Sequence, residues 1–147
     1  MIKISDYIAN FINEANIKHV FMLTGGAAMH LNDSFGKHKD LNIIFNHHEQ
    51  ASAMAAEAYA RLSNQIAVVN VTTGPGGINT LNGVFGAWTD SIPMMVISGQ
   101  VRYDTTVRSS GLPLRQFGDQ EYDIIKSVDP MTKYAVMVTD PHEIKYH

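Results

Sequence analysis

"IAVVNVTTGPGGINTLNGVFGAWTD", residues 66–90, decides the fold. It opens on a run rich in β-branched residues, "IAVVNVTT", which suits a buried strand. "GPGG" then makes a tight turn, and "INTLNGVFGAWTD" suits a helix. Strand, glycine turn and helix in succession form the repeating unit of a parallel sheet covered on both faces.

The same unit recurs on either side. Downstream, "PMMVISG" (93–99) reads as the next strand, and "YAVMV" (134–138) offers a fifth. Upstream, "HVFML" (19–23) and "LNIIF" (41–45) read as strands. "GAAMHLNDSFG" suits a helix ending at Gly36, and an alanine-rich helix is expected from about residue 47 to 62. In "ISDYIANFINEA", Ile4, Ile8, Phe11, Ile12 and Ala15 fall at helical spacing, with Ser5 or Asp6 placed to cap the start. The expected fold is α/β: a doubly wound, mostly parallel sheet with helices on both faces.

Length and composition bound the function classes. At 147 residues the chain is expected to form one domain, spanning 1–147. Hydrophobic residues at 45% and charged residues at 17% exclude a disordered class. A formal charge of −3 gives no whole-chain attraction to nucleic acid or to an anionic membrane, so neither is expected as a partner. "MIKISDYIANF" has no signal-peptide pattern, and no apolar run approaches the roughly 18 residues of a membrane span. The chain has no cysteine, which fits a reducing cytoplasm.

Two segments depart from the alternation. Residues 102–129, "RYDTTVRSSGLPLRQFGDQEYDIIKSVD", read as a long surface excursion with a short helix near Asp123 to Lys126, and such loops often bind ligands. "TDPHEIKYH" announces a helix, with Asp140 as N-cap, Pro141 first and Glu143 in the first turn. Few residues remain to build it, which suggests a longer protein interrupted as its next element begins.

Ligands of such sheets sit beyond the carboxyl ends of the strands, so "TGGA", "NHHEQ" and "TTGPGG" are the loops that matter. "HHE" invites a metal, yet adjacent residues point in different directions and the HExxH spacing is absent. His47 and His48 therefore read as polar residues at a helix entrance. "GPGG" invites a phosphate but fits neither GxxxxGK[ST] nor GxGxxG, since position 79 is asparagine. Glu57 and Arg61, four apart, read as a solvent-side ion pair. Trp88 and the methionines read as core or interface packing. Glu49 stands out, because "ASAMAAEAYA" after it offers apolar surface on most sides. A buried carboxylate there is pulled two ways, burial disfavouring its charge and the helix N-terminus favouring it, as in groups that share protons with a ligand.

The blocks "VFMLTGGAAM", "FNHHEQASAMAAEAYAR", "VVNVTTGPGGINTLNGVFGAWTDSIPMMVISGQ" and "DQEYDI" together resemble the N-terminal, pyrimidine-binding domain of thiamine-diphosphate enzymes, most closely the acetolactate synthase group. The resemblance runs from about Ile4 to Val138. It implies that Glu49 is the family glutamate whose carboxyl group hydrogen-bonds N1′ of the aminopyrimidine and favours its imino tautomer. The cofactor can then lose its C2 proton and add to a 2-oxo acid such as pyruvate, whose two-carbon remnant passes to a second carbonyl. By the same resemblance Thr72, Pro75 and Asn79 line the pyrimidine and thiazolium side of the pocket. Thr24, Gly25 and Gly26 form a loop reaching the reacting centre, and Gln120 lies near the reacting carbonyl.

Two departures bear on substrate. Acetolactate synthases usually carry proline at the position of Thr24 and an aromatic residue at that of Asp119; an acid there disfavours a second pyruvate carboxylate and suits another acceptor. The family anchors the diphosphate through Mg²⁺ with a "GDG" motif and paired asparagines, and neither occurs in these 147 residues. The resemblance thus implies Mg²⁺ held by a diphosphate-binding domain of another subunit, in a homodimer or tetramer, with FAD open for a domain not in this chain. The chain alone is expected to be inactive, as the front of a longer enzyme or the small subunit of a split decarboxylase. A non-catalytic flavodoxin-like binding module is the alternative.

Overall fold

The computed structural model describes residues 2–147. Strands β1 (His19–Met22), β2 (Asn42–Phe45), β3 (Ala67–Val71) and β4 (Met94–Ser98) form one wholly parallel sheet in the order β2-β1-β3-β4. β3 has a neighbour on each side and every residue buried, which is why its sequence is an apolar, valine-rich run with a single polar break at Asn70.

Successive side chains of a strand face opposite ways, and the two cores follow from that. Val20, Met22 and Val68 pack with Ala9 and Ile12 of helix α1 (Ile4–Glu14) and Phe35 of α2 (Met29–Lys37). Phe21, Val69 and Val71 pack on the other face with Ala56 and Ala60 of α3 (Glu49–Ser63). Between β3 and β4 run α4 (Pro75–Asn79) and α5 (Leu81–Thr89). α5 lies against α3 so closely that a Cβ at Gly83 would fall 2.5 Å from that of Ala53. Small residues on both helices make that approach possible. The doubly wound reading of the sequence is the fold observed.

Several local expectations are corrected. α1 is preceded by Lys3 with no side-chain cap; Ser5 and Asp6 lie inside its first turn, where the Ser34 hydroxyl stands 2.8 Å from Ser5 Oγ and 2.6 Å from Asp6 Oδ1. A tertiary contact with α2 has taken the oxygens that a cap would use. The buried stripe is Ser5, Ala9 and Ile12, leaving Phe11 and Ala15 exposed. α2 continues past Gly36 to Lys37, whose Nζ pairs with Asp33 at 2.7 Å one turn back. α3, by contrast, ends in a left-handed residue, Asn64.

"GPGG" is less a turn than a helix start: Pro75 is the first residue of α4, as its fixed φ and missing N–H allow. "YAVMV" is no strand. Tyr134, Val136 and Val138 are exposed and the segment pairs with none of the four strands; strand propensity without a ladder partner does not make a strand. Of the residues expected in core or interface, Met22 is in the core, while Trp88, Met29 and Met54 are half-exposed on this chain. In the excursion the short helices are α6 (Val107–Ser110) and α7 (Ile125–Val128), the latter slightly later than expected. Asp140 does cap a turn, Pro141–Glu143, by accepting the His142 N–H at 2.8 Å.

Candidate functional site

β1 connects to β2 on one side and β3 to β4 on the other, so the strand order reverses between β1 and β3. Doubly wound sheets take ligands at that crevice. The loops flanking it are "TGGA" and "TTGPGG", and they touch: Ala27 N–H donates to Thr72 Oγ1 at 3.2 Å.

Glu49 enters the same place from the start of α3. Its cap is His48, whose Nδ1 accepts the Gln50 N–H at 3.1 Å, which accounts for one half of the "HHE" pattern; His47 is exposed beside it. Glu49 itself is only 9% exposed. Its Oε2 accepts a hydrogen bond from Asn79 Nδ2 at 2.9 Å, and its Oε1 would stand 3.4 Å from a Cβ on residue 76. The amide donor fixes the orientation of that carboxyl group at the first turn of α3.

Thr72 is the hub of the cradle. A Cβ on Gly25 would lie 2.5 Å from Thr72 Cβ, and one on Gly76 would lie 2.6 Å from Thr72 Cγ2. Two backbones therefore close on one threonine, which only glycine at both places permits. Gly74 adopts a φ of +56°, and a Cβ there would meet the Gln120 carbonyl oxygen at 2.3 Å. Gln120 also has positive φ, +54°, so the returning excursion lies directly on the β3 turn.

The structure thus brings together Glu49, Asn79, Thr72, Gly25 and, through Gly74, Gln120. Thr24, Gly26 and Pro75 sit exposed at the rim, and Gly26 has open space where a Cβ would be. Glu57 proves less solvated than expected, with a side chain 16% exposed; Arg61 bridges it at 2.6 Å to Asp90 at 2.5 Å. Those two carboxylates hold the Arg61 guanidinium above its ordinary value, Glu57 more than Asp90.

Supporting residues escaped the sequence reading. Asn32 Nδ2 donates to the Gly25 carbonyl at 3.3 Å, and fully buried Asn70 donates to Asn32 Oδ1 at 2.9 Å. The legible signal was the lone polar residue within "AVVNV". Gln100 binds the β3 turn, with its Oε1 2.6 Å from Thr73 Oγ1. It follows β4 in the fourth strand-exit loop, which the rule for the other three covers equally.

Comparison with known proteins gives one family for this arrangement. The family model described as "Thiamine pyrophosphate enzyme, N-terminal TPP binding domain" matches residues 2–126. The chain is 38% identical over 137 residues to an acetolactate synthase large subunit from Buchnera aphidicola subsp. Schizaphis graminum, covering 93% of this chain and 22% of that protein. It is 31% identical over 140 residues to the acetolactate synthase large subunit of Lactococcus lactis, covering 95% and 23%. Against the chloroplastic acetolactate synthase 2 of Zea mays it is 33% identical over 146 residues, covering 95% and 21%. The chain spans about a fifth of the length of these relatives. A parallel sheet with a buried glutamate at its switch point, matched across most of the chain by that model, belongs to the thiamine pyrophosphate enzymes, as their N-terminal TPP binding domain.

Proposed function

We propose that this chain is the pyrimidine-binding domain of a thiamine-diphosphate-dependent 2-oxo acid decarboxylase and carboligase of the acetolactate synthase kind, with pyruvate as donor. The observation that carries the reading is Glu49, a carboxylate 9% exposed, fixed by Asn79 at 2.9 Å and facing a cradle that a Cβ on residue 76 would begin to fill. Such a recess suits a flat aminopyrimidine, and a fixed carboxyl group suits its ring nitrogen.

The geometry supports the following roles. Glu49 holds or shares a proton with N1′ of the ring, and Asn79 keeps its carboxyl group in one orientation. Thr72, between Gly25 and Gly76, sets the floor against which the ring lies, and Thr24, Gly26 and Pro75 line the rim. Gln120 meets the substrate carbonyl, beside Asp119, whose charge disfavours an acceptor carrying a carboxylate. When bound, thiamine diphosphate supplies the electron sink that lets a 2-oxo acid lose carbon dioxide.

The diphosphate and Mg²⁺ sit with a diphosphate-binding domain outside these 147 residues, brought by another subunit of a homodimer or tetramer. FAD, where the complete enzyme carries it, belongs to a domain outside them as well. The cysteine-free chain suits work in the cytoplasm. The test is carbon dioxide release from pyruvate by the assembled enzyme with and without thiamine diphosphate and Mg²⁺, with products resolved for a panel of acceptors. Cofactor-dependent release supports the reading; a complete enzyme that neither binds the cofactor nor decarboxylates any 2-oxo acid overturns it.

A further inference from the structure

Gln100 occupies a junction that the roles above leave unused. It follows Gly99 at the end of β4 and is half-buried. Its Oε1 accepts from Thr73 Oγ1 at 2.6 Å and from the Val101 N–H at 2.9 Å, while its Nε2 donates to the Tyr122 carbonyl at 2.9 Å. Thr73 is 6% exposed and lies between Thr72, the hub of the cradle, and Gly74, which carries the contact with Gln120. Tyr122 is two residues beyond Gln120. One primary amide therefore spans the exits of β3 and β4 and the returning limb of the excursion.

The rest of the excursion holds itself. Glu121 Oε1 accepts the Val107 N–H at 2.7 Å, and Gln116 Nε2 donates to the carbonyls of Gly118 and Glu121 at 2.8 and 3.1 Å. Those bonds shape the segment without fixing where it sits on the sheet. The Gln100 amide ties it to the strand exits: one oxygen takes two donors there while the nitrogen gives a proton to the Tyr122 carbonyl.

We propose that Gln100 is a positioning residue that fastens the limb bearing Gln120 to the turn bearing Thr72, and so sets how Gln120 meets the substrate. This rests on the thiamine-diphosphate reading above. Gln100→Glu separates its two halves, because a carboxylate keeps the acceptor for Thr73 and Val101 but has no proton for the Tyr122 carbonyl. Gln100→Ala removes both.

The experiment compares wild type, Gln100→Glu and Gln100→Ala in the assembled enzyme. The readouts are amide hydrogen exchange by mass spectrometry, thiamine diphosphate titration by circular dichroism, and steady-state kinetics with pyruvate. In Gln100→Glu, exchange should quicken across residues 118–124 while the 72–79 peptide stays protected. Its cofactor affinity should remain within about twofold and its kcat/KM fall about tenfold, the loss expected of one hydrogen bond that orients a reacting group. Gln100→Ala should also loosen 72–79 and weaken cofactor binding about tenfold. Should Gln100→Ala fail to assemble, Thr73→Val makes the same cut on the turn side. Unchanged exchange over 118–124 in Gln100→Glu overturns the proposal, as does faster exchange there with kcat/KM unmoved, which would leave Gln100 a purely structural clip. A wild-type enzyme that does not bind thiamine diphosphate sinks the functional reading, and this proposal with it; normal wild-type binding with an indifferent Gln100→Glu sinks this proposal alone.

Discussion

Thr72 is gripped from two sides, at Cγ2 alone by one grip and at three atoms by the other. A Cβ on residue 76 would stand 2.6 Å from Thr72 Cγ2, with Thr72 Cβ 3.6 Å away. A Cβ on residue 25 would stand 2.5 Å from Thr72 Cβ itself. Ordinary carbon contacts lie near 3.5–4.0 Å, so either alanine forces a shift of about 1 Å. Overpacking of that kind costs about 1–3 kcal/mol, and at residue 76 the helix preference of alanine returns up to about 1 kcal/mol. Gly76→Ala should therefore destabilise by about 1–2 kcal/mol. Thr72→Ser removes Cγ2 but keeps Cβ and the oxygen that accepts from Ala27; alone it costs about 0.8 kcal/mol for the lost methyl group. Combined with Gly76→Ala it should recover most of the strain, a coupling of about 1–2 kcal/mol in a double-mutant cycle. Combined with Gly25→Ala it should recover much less, because Thr72 Cβ at 2.5 Å and Oγ1 at 2.8 Å still collide once Cγ2, at 2.6 Å, is gone. Urea unfolding of the singles and doubles reads this directly. Equal rescue of both alanines, or of neither, would refute the cradle geometry.

Asn79→Ala takes the donor from Glu49 Oε2 and should lower stability by about 1–2 kcal/mol in urea unfolding while weakening thiamine diphosphate binding in the assembled enzyme. Asp6 carries a pH signature. The Ser34 hydroxyl, with Lys3 behind it, holds its carboxyl below the ordinary 3.8, so the stabilisation is complete above that value and disappears as pH falls through the lower folded one. Thermal melts of Asp6→Asn should show a lower Tm than wild type near neutrality and a flatter decline below about pH 4, the two curves converging in acid.

The fold was legible because the strands are short, apolar and separated by turn residues, so that buried and half-buried runs declare themselves. Its errors fell where a long-range contact outweighed a local preference. Ser34 claimed the oxygens of Ser5 and Asp6, and "YAVMV" has β-forming residues but no strand beside it. Glu49 could be singled out because alanines after a carboxylate signal burial, and it is buried. Asn79 could be paired with it only through the family resemblance, since 30 positions separate them and no local rule joins them. Asn70 and Gln100 could be noticed, one as the polar break in "AVVNV" and the other at a strand exit, but their partners could not, because a side-chain amide that joins distant elements leaves no spacing to read.

The central claim is that Glu49 governs the proton at the aminopyrimidine of thiamine diphosphate. Its most direct test is Glu49→Gln in the assembled enzyme, with the rate of deuterium exchange at the cofactor C2 followed by acid quench and proton NMR. The account predicts an intact fold, retained cofactor binding and exchange slowed by about 10²-fold or more, the scale of a lost general acid–base group. Exchange at the wild-type rate with the cofactor bound would contradict it.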